Sequence, residues 1–254
     1  LASAAVNETI KAGVIPAGME MMDRLAVQAA EDFAHAGYPR GAGAILLIEL
    51  DGTAAELAAL EAEVTAGVRA AGAFSVDVAR DAQQQAIMWK GRKSAFPAVG
   101  RIAPDYYCMD GTIPRRRLGE VLGEINLLSR EYGLEVANVF HAGDGNLHPL
   151  ILYDANVPGE LARVEEMGGR ILERCVEVGG TVTGEHGVGV EKLDQMCVQF
   201  TEAELRQFER LKAVFDPAGV LNPGKAIPTL SRCAELGGMH VHRGELPFRN
   251  LDRF

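Results

Sequence analysis

Apolar and polar positions along this chain switch between two periods, and the switches mark its elements. Residues 3–12 and 19–36 carry apolar side chains at helical spacing, with Pro16 as the breaker between them. Ala44-Ile-Leu-Leu-Ile-Glu-Leu50 is an apolar run of strand length, stopped by Asp51-Gly52. An alanine-rich helix is predicted over 53–71, and the alternation of residues 73–79 predicts a strand. Residues 81–95 read as a helix before Pro97. A strand near 105–111 leads to Pro114, which opens a helix over 115–132 because proline fits the first helical turn. Residues 135–141 and 147–152 form a hairpin, and 159–178 an amphipathic helix ending at Gly179-Gly180. A further helix over 201–214 starts at a Thr201/Glu204 capping box. Residues 215–228, dense in Pro and Gly, read as a shaped loop. Residues 229–254 show no clear period and read as a solvated or packed C-terminal extension, with a metal pair of His240 and His242 on one strand face as the alternative. The order of elements predicts an α+β fold: ferredoxin-like halves, a largely antiparallel sheet, and helices on one face.

The hairpin carries the candidate chemistry. Asp144-Gly145 is a two-residue turn signal, since a primed turn needs positive φ. Counting outward from it, His141 pairs directly with His148 on one sheet face, with Cβ atoms about 4.5–5.5 Å apart. Two imidazoles so placed can share a divalent cation. Downstream, Glu185 and His186 are adjacent between Gly184 and Gly187. An extended backbone points such neighbours apart and gives them different jobs. Glu185 is a suitable third ligand, and His186 is then free to act as a base. On donor chemistry alone, a metal-dependent hydrolase and a noncatalytic metal-binding or interaction module stand as alternatives.

Composition narrows the field. The chain has 254 residues, 48% hydrophobic and 24% charged, with a net charge of −10. Such a balance disfavours nucleic acid or an anionic membrane as a general partner. No apolar run approaches the ~20 residues of a membrane span. The four cysteines form no C-x-x-C pair and read as reduced packing residues of a cytoplasmic chain. The start, Leu1-Ala-Ser, suggests a chain beginning inside a larger protein. Gly-Ala-Gly at 41–43 lacks a third glycine and precedes a strand, so it is not a dinucleotide fingerprint.

Taken together, YYCMDGTIP (106–114), HAGDGNLHP (141–149), TGEHGVGVEK (183–192) and FDPAGVLNPGK (215–225) resemble the C-terminal part of the FAD-linked 2-hydroxyacid oxidases and dehydrogenases. That family includes enzymes acting on glycolate, D-lactate and D-2-hydroxyglutarate. The resemblance implies that residues 1–200 form a substrate or cap domain and 201–254 a C-terminal helix and flavin-side tail. It also implies that the N-terminal FAD-binding domain lies outside this chain, and that an electron-transfer subunit is a possible partner. By position, His141, His148 and Glu185 match the family's metal ligands (Zn, Mn or Fe), and His186 its base. Arg92 matches the arginine on the substrate carboxylate, and Asn222 and Lys225 lie in the flavin-side tail. The hydroxyglutarate enzymes carry lysine and asparagine where this chain has Cys108 and Leu150. The resemblance therefore points to a small 2-hydroxy acid such as glycolate or D-lactate, oxidised to the keto acid with hydride transfer to FAD.

Overall fold

The structure, a computed structural model, describes residues 1–228. His240 and His242 lie outside the described residues. Helix α1 (Ala2–Lys11) leads to strand β1 (Gly18–Asp23) and helix α2 (Arg24–Ala34). Strand β2 (Ala44–Glu49) and helix α3 (Ala54–Ala70) follow, then α4 (Ala82–Lys93) and the short α5 (Ala95–Val99). Strands β3 (Asp105–Cys108) and β4 (Gly111–Thr112) precede a 3-10 turn at Arg115–Arg117 and helix α6 (Leu118–Tyr132). Strands β5 (Val136–His141) and β6 (Asn146–Tyr153) make the hairpin, and α7 (Glu160–Glu177), α8 (Leu193–Gln199) and α9 (Glu202–Phe215) complete the set.

The strands join in one antiparallel sheet of order β2-β1-β5-β6-β3, with β4 pairing β6. On one face Met19, Met21, Phe140, Leu147 and Ile151 pack with Val6 of α1, Ile125 of α6, and Met167 and Ile171 of α7. On the other, Met22, Ala137, Val139, Leu150 and Leu152 pack with Ala26 and Ala30 of α2 and Ala95 and Val99 of α5. The antiparallel α+β class is as expected, but helices cover both faces rather than one. The strands show why: buried residues, most of them apolar, fill consecutive positions of β5 and β6, the pattern of a sheet covered on both sides.

Two local expectations fail. The helix expected over 19–36 is β1 followed by α2, divided at Asp23, whose carboxylate caps α2 by accepting from Ala26 N–H at 3.0 Å. Strand pairing on both sides of Gly18–Asp23 overrides the helical leaning of its Met and Glu residues. Residues 73–79 alternate as a strand would, yet pair with no strand among the described residues. Helix α8 was not anticipated. It joins Val182 and Leu205 of α9 in a small cluster that brackets residues 183–192 at both ends.

Candidate active site

The hairpin register differs from the sequence expectation. His141 pairs with Asn146, and Val139 with His148, so the connection is a four-residue loop, 142–145, rather than a two-residue turn. Contacts from outside the hairpin set this geometry. Gly143 N–H donates to Met19 C=O at 3.1 Å, Ile113 N–H donates to Gly145 C=O at 2.9 Å, and Arg115 Nη1 donates to Gly143 C=O at 2.8 Å. Gly145 is required: its φ is +79°, and a Cβ there would stand 2.2 Å from the Ile113 carbonyl oxygen. The register moves by an even number of residues, so both histidines still share the α2/α5 face. They are diagonal neighbours, with ring centroids 5.0 Å apart.

Each histidine has its own surroundings. His141 lies opposite Glu20 of β1, and its Nδ1 stands 2.7 Å from Glu20 Oε1. The Glu20 Oε2 atom accepts from Arg92 Nε at 3.0 Å and Nη2 at 2.7 Å, so the one carboxylate bridges Arg92 and His141. Burial alone would raise the Glu20 pKa, but the bonds from His141 and Arg92 bring it below its ordinary value. The Glu20 hydrogen bond raises the His141 pKa. With Nδ1 committed to a carboxylate, His141 Nε2 faces the site, 3.3 Å from Glu185 Oε1. His148 is buried, and burial pushes its pKa down to about 4, helped by His141 and His186. Neither of its ring nitrogens has a hydrogen-bond partner, although Nε2 stands 3.3 Å from Glu185 Oε1.

Glu185 and His186 sit on irregular backbone organised by a residue the sequence reading missed. The buried carboxylate of Asp110 accepts from Thr183 Oγ1 at 2.7 Å and from the N–H groups of Gly184 at 3.0 Å, Glu185 at 3.0 Å and His186 at 2.9 Å. Lys192, also buried, donates from Nζ to Asp110 Oδ2 and to the Asp110 carbonyl, both at 3.0 Å. Burial opposes ionisation of Asp110, but these donors hold its pKa far below the usual range. The loop abuts the hairpin at Gly184, where a Cβ would lie 2.3 Å from Asn146 Oδ1. Contrary to the expectation that they point apart, the two side chains converge, with His186 Nε2 3.7 Å from Glu185 Oε1. Glu185 reaches both histidines, while the His186 ring stacks on His148 at 4.8 Å and 12°.

The donor set suits a divalent cation: one atom each from His141, His148 and Glu185 lies within a common 4.8 Å, and the buried His148 nitrogens make no hydrogen bond, with Asp110 Oδ1 3.6 Å from Nε2. Side-chain exposure rises through the set, from 3% at His148 to 30% at His141 and 54% at Glu185. Phe96 makes an edge contact with His148 at 6.1 Å, and Cys108 pairs with Leu150 across β3 and β6. Arg92 thus reaches the site through Glu20. Asn222 and Lys225 do not join the cluster. They face each other at 3.5 Å on exposed positions, and their loop returns to the site region through Ala226 N–H, which donates to Gly189 C=O at 2.8 Å.

Glu20 was missed because its stretch reads as a helix. Once β1 is seen, a lone carboxylate between Met19 and Met21 becomes a signal. Asp110, likewise, is the one charge in the Cys-Met-Asp-Gly run.

The chain is similar to known proteins. The glycolate oxidase subunit GlcD of Escherichia coli strain K12 is 61% identical over 253 residues, covering 100% of this chain and 51% of the relative. GlcD of Bacillus subtilis strain 168 is 35% identical over 224 residues, covering 88% and 48%. The chain therefore spans about half the length of the curated relatives it matches. The crystal structure of p-cresol methylhydroxylase with substrate bound shares the fold, with a TM-score of 0.64 at 15% identity over 84% of this chain and 47% of that one. No helix among the described residues is long and apolar enough to cross a membrane. Residues 1–226 match the model of one family, and the chain belongs to it: the FAD linked oxidases, C-terminal domain.

Proposed function

We propose that this chain is the substrate-side part of an FAD-dependent oxidoreductase that converts a small 2-hydroxy acid, glycolate or D-lactate, to its 2-keto acid. The observation that carries the reading is the convergence of Glu185, His141 and His148 beneath His186, in a chain 61% identical over its whole length to a glycolate oxidase subunit. Residues 1–200 serve as the cap over the substrate, and 201–228 bring Asn222 and Lys225 toward the flavin. A companion FAD-binding half completes the enzyme, and an electron-transfer subunit is its natural outlet.

A divalent cation (Zn, Mn or Fe) and FAD supply, when bound, polarisation of the substrate hydroxyl and acceptance of a hydride. His141, His148 and Glu185 would hold the cation. Glu20 keeps His141 Nδ1 engaged, so that Nε2 is the atom presented. Two Arg92 nitrogens are committed to Glu20, and the third, Nη1, takes the substrate carboxylate. His186, with 45% of its side chain exposed, accepts the hydroxyl proton from the open side.

The wall beside His148 favours a short substrate. Cys108 stays a neutral thiol, its pKa pushed up to about 12 by burial and then by the Asp110 charge. Leu150 beside it is fully buried. A second carboxylate there would lose its hydration without gaining a partner. The test joins this chain to the remaining half of the E. coli relative and measures dye reduction. Glycolate or D-lactate should exceed D-2-hydroxyglutarate in kcat/KM. The reverse ranking would refute the monocarboxylate reading, and a colourless protein without turnover would refute the flavin reading.

A further inference from the structure

Two buried charges, Asp110 and Lys192, are given no contact with substrate, cation or flavin in the chemistry just described. We propose that they are positioning residues: Asp110 is a built-in anion around which residues 183–186 are wrapped, and the wrap fixes where Glu185 and His186 stand. This rests on the reading of Glu185 as ligand and His186 as base.

Three successive N–H groups, from Gly184, Glu185 and His186, converge on the Asp110 carboxylate at 2.9–3.0 Å. Consecutive backbone N–H groups aimed at one point form an anion-binding nest. Here the chain fills its own nest with a side chain from the β3–β4 connection. Lys192 supplies the counter-charge to Asp110 and also reaches Thr183 Oγ1 at 3.3 Å.

A buried ion pair is weak support for stability in itself, because well-packed apolar residues often do as well. Apolar residues could not aim three N–H groups, and aiming them is what the pair accomplishes. Asp110, His148 and His186 could in principle share a cation, with Asp110 Oδ1 3.6 Å from His148 Nε2. The donors of the wrap nevertheless crowd the carboxylate: Oδ2 accepts from Thr183, Gly184, His186 and Lys192, and Oδ1 accepts from Glu185 N–H.

The experiment compares the 254-residue chain with Asp110→Asn, Lys192→Met and the double variant. Cobalt(II) affinity is read from visible absorption, and amide hydrogen exchange is followed over 183–189. Asp110→Asn should weaken cobalt binding about 10–100-fold, the usual effect of losing a group that orients a ligand. Protection of the Glu185 and His186 amides should fall with it. Lys192→Met leaves the N–H groups their acceptor and should cost less cobalt affinity. The double variant removes the unpaired buried ammonium and should recover thermal stability relative to Asp110→Asn, while affinity and protection stay low. If affinity and protection return along with stability in the double variant, or never fall in Asp110→Asn, the proposal is overturned and the pair is merely structural. Should the unsubstituted chain take up no cobalt, the ligand reading fails. Amide protection then decides the positioning claim alone: lost in both Asp110 variants it stands, and unchanged it falls.

Discussion

His148 and His186 stack ring on ring, yet what holds each in place is different. His148 rides on β6, a strand paired on both sides, with its side chain sealed among α5 and the sheet. His186 rides on a segment with no ladder, whose backbone is tied chiefly to a single carboxylate. His141 follows the first pattern and Glu185 the second. Position is shared among many weak restraints in the sheet half, and concentrated in a few strong ones in the loop half. Loops commonly carry function because a scaffold holds them. Here the scaffold's contribution to the loop can be traced to Asp110 and Lys192.

Substitutions in the two halves should therefore fail differently. The largest effect is expected at the loop's free side chain. His186→Asn in the complete flavoprotein should slow single-turnover flavin reduction about 10²–10⁴-fold, with metal and flavin still bound. Near-normal reduction with metal in place would remove His186 from the role of base, and loss of metal would make it a ligand.

The sheet half is probed at Glu20. Glu20→Gln keeps the strand pairing but removes the charge that orients His141, and should lower divalent-metal affinity about 10–100-fold by competitive titration. Arg92 would also lose its buried counter-ion. A metal affinity equal to that of the unsubstituted chain would show that β-ladder placement alone suffices.

The seam between the halves is tested by Gly184→Ala. The added Cβ would meet Asn146 Oδ1 at 2.3 Å, so one side must give way. We expect destabilisation of about 1–3 kcal/mol, the usual range for overpacking. Pairing it with Asn146→Ala should restore most of the loss. Denaturant unfolding of both variants checks this, and an unchanged midpoint in Gly184→Ala would mean that the loop yields freely.

The smallest effect should come from Thr183→Val. It deletes one 2.7 Å hydrogen bond to Asp110 while leaving the three backbone donors in place. About 1 kcal/mol of stability should go, with metal affinity nearly intact. A metal loss as large as that of Asp110→Asn would show that the hydroxyl, and not the N–H nest, sets the loop.

The sequence carried the sheet half more fully than the loop half. The nearness of His141, His148, Glu185 and His186 could be anticipated because the first two flank a hairpin connection and the last two interrupt a glycine-rich run with donor side chains. The register could not be read from Asp144-Gly145, because the loop takes its form from Met19, Ile113 and Arg115, which are remote in sequence. The error was harmless because strand side chains repeat every two residues, and the shift was even. Glu20 and Asp110 were missed for another reason. Each acts through partners more than 70 residues away, and no local pattern encodes such a distance. Residues 73–79 mark the opposite failure, a clear alternation that no neighbouring strand takes up.

The graded exposure of the three donors gives the site a sense of direction in time. A chelator approaching from solvent meets Glu185 first, then His141, and reaches the sealed His148 last. Under the ligand assignment proposed above, release would begin with the carboxylate swinging away on its loop, and the rate of metal exchange would serve as a clock for that movement. Loosening the Asp110 tether should speed stripping by EDTA more than it weakens equilibrium binding, whereas loosening Glu20 should shift the equilibrium more than the pace.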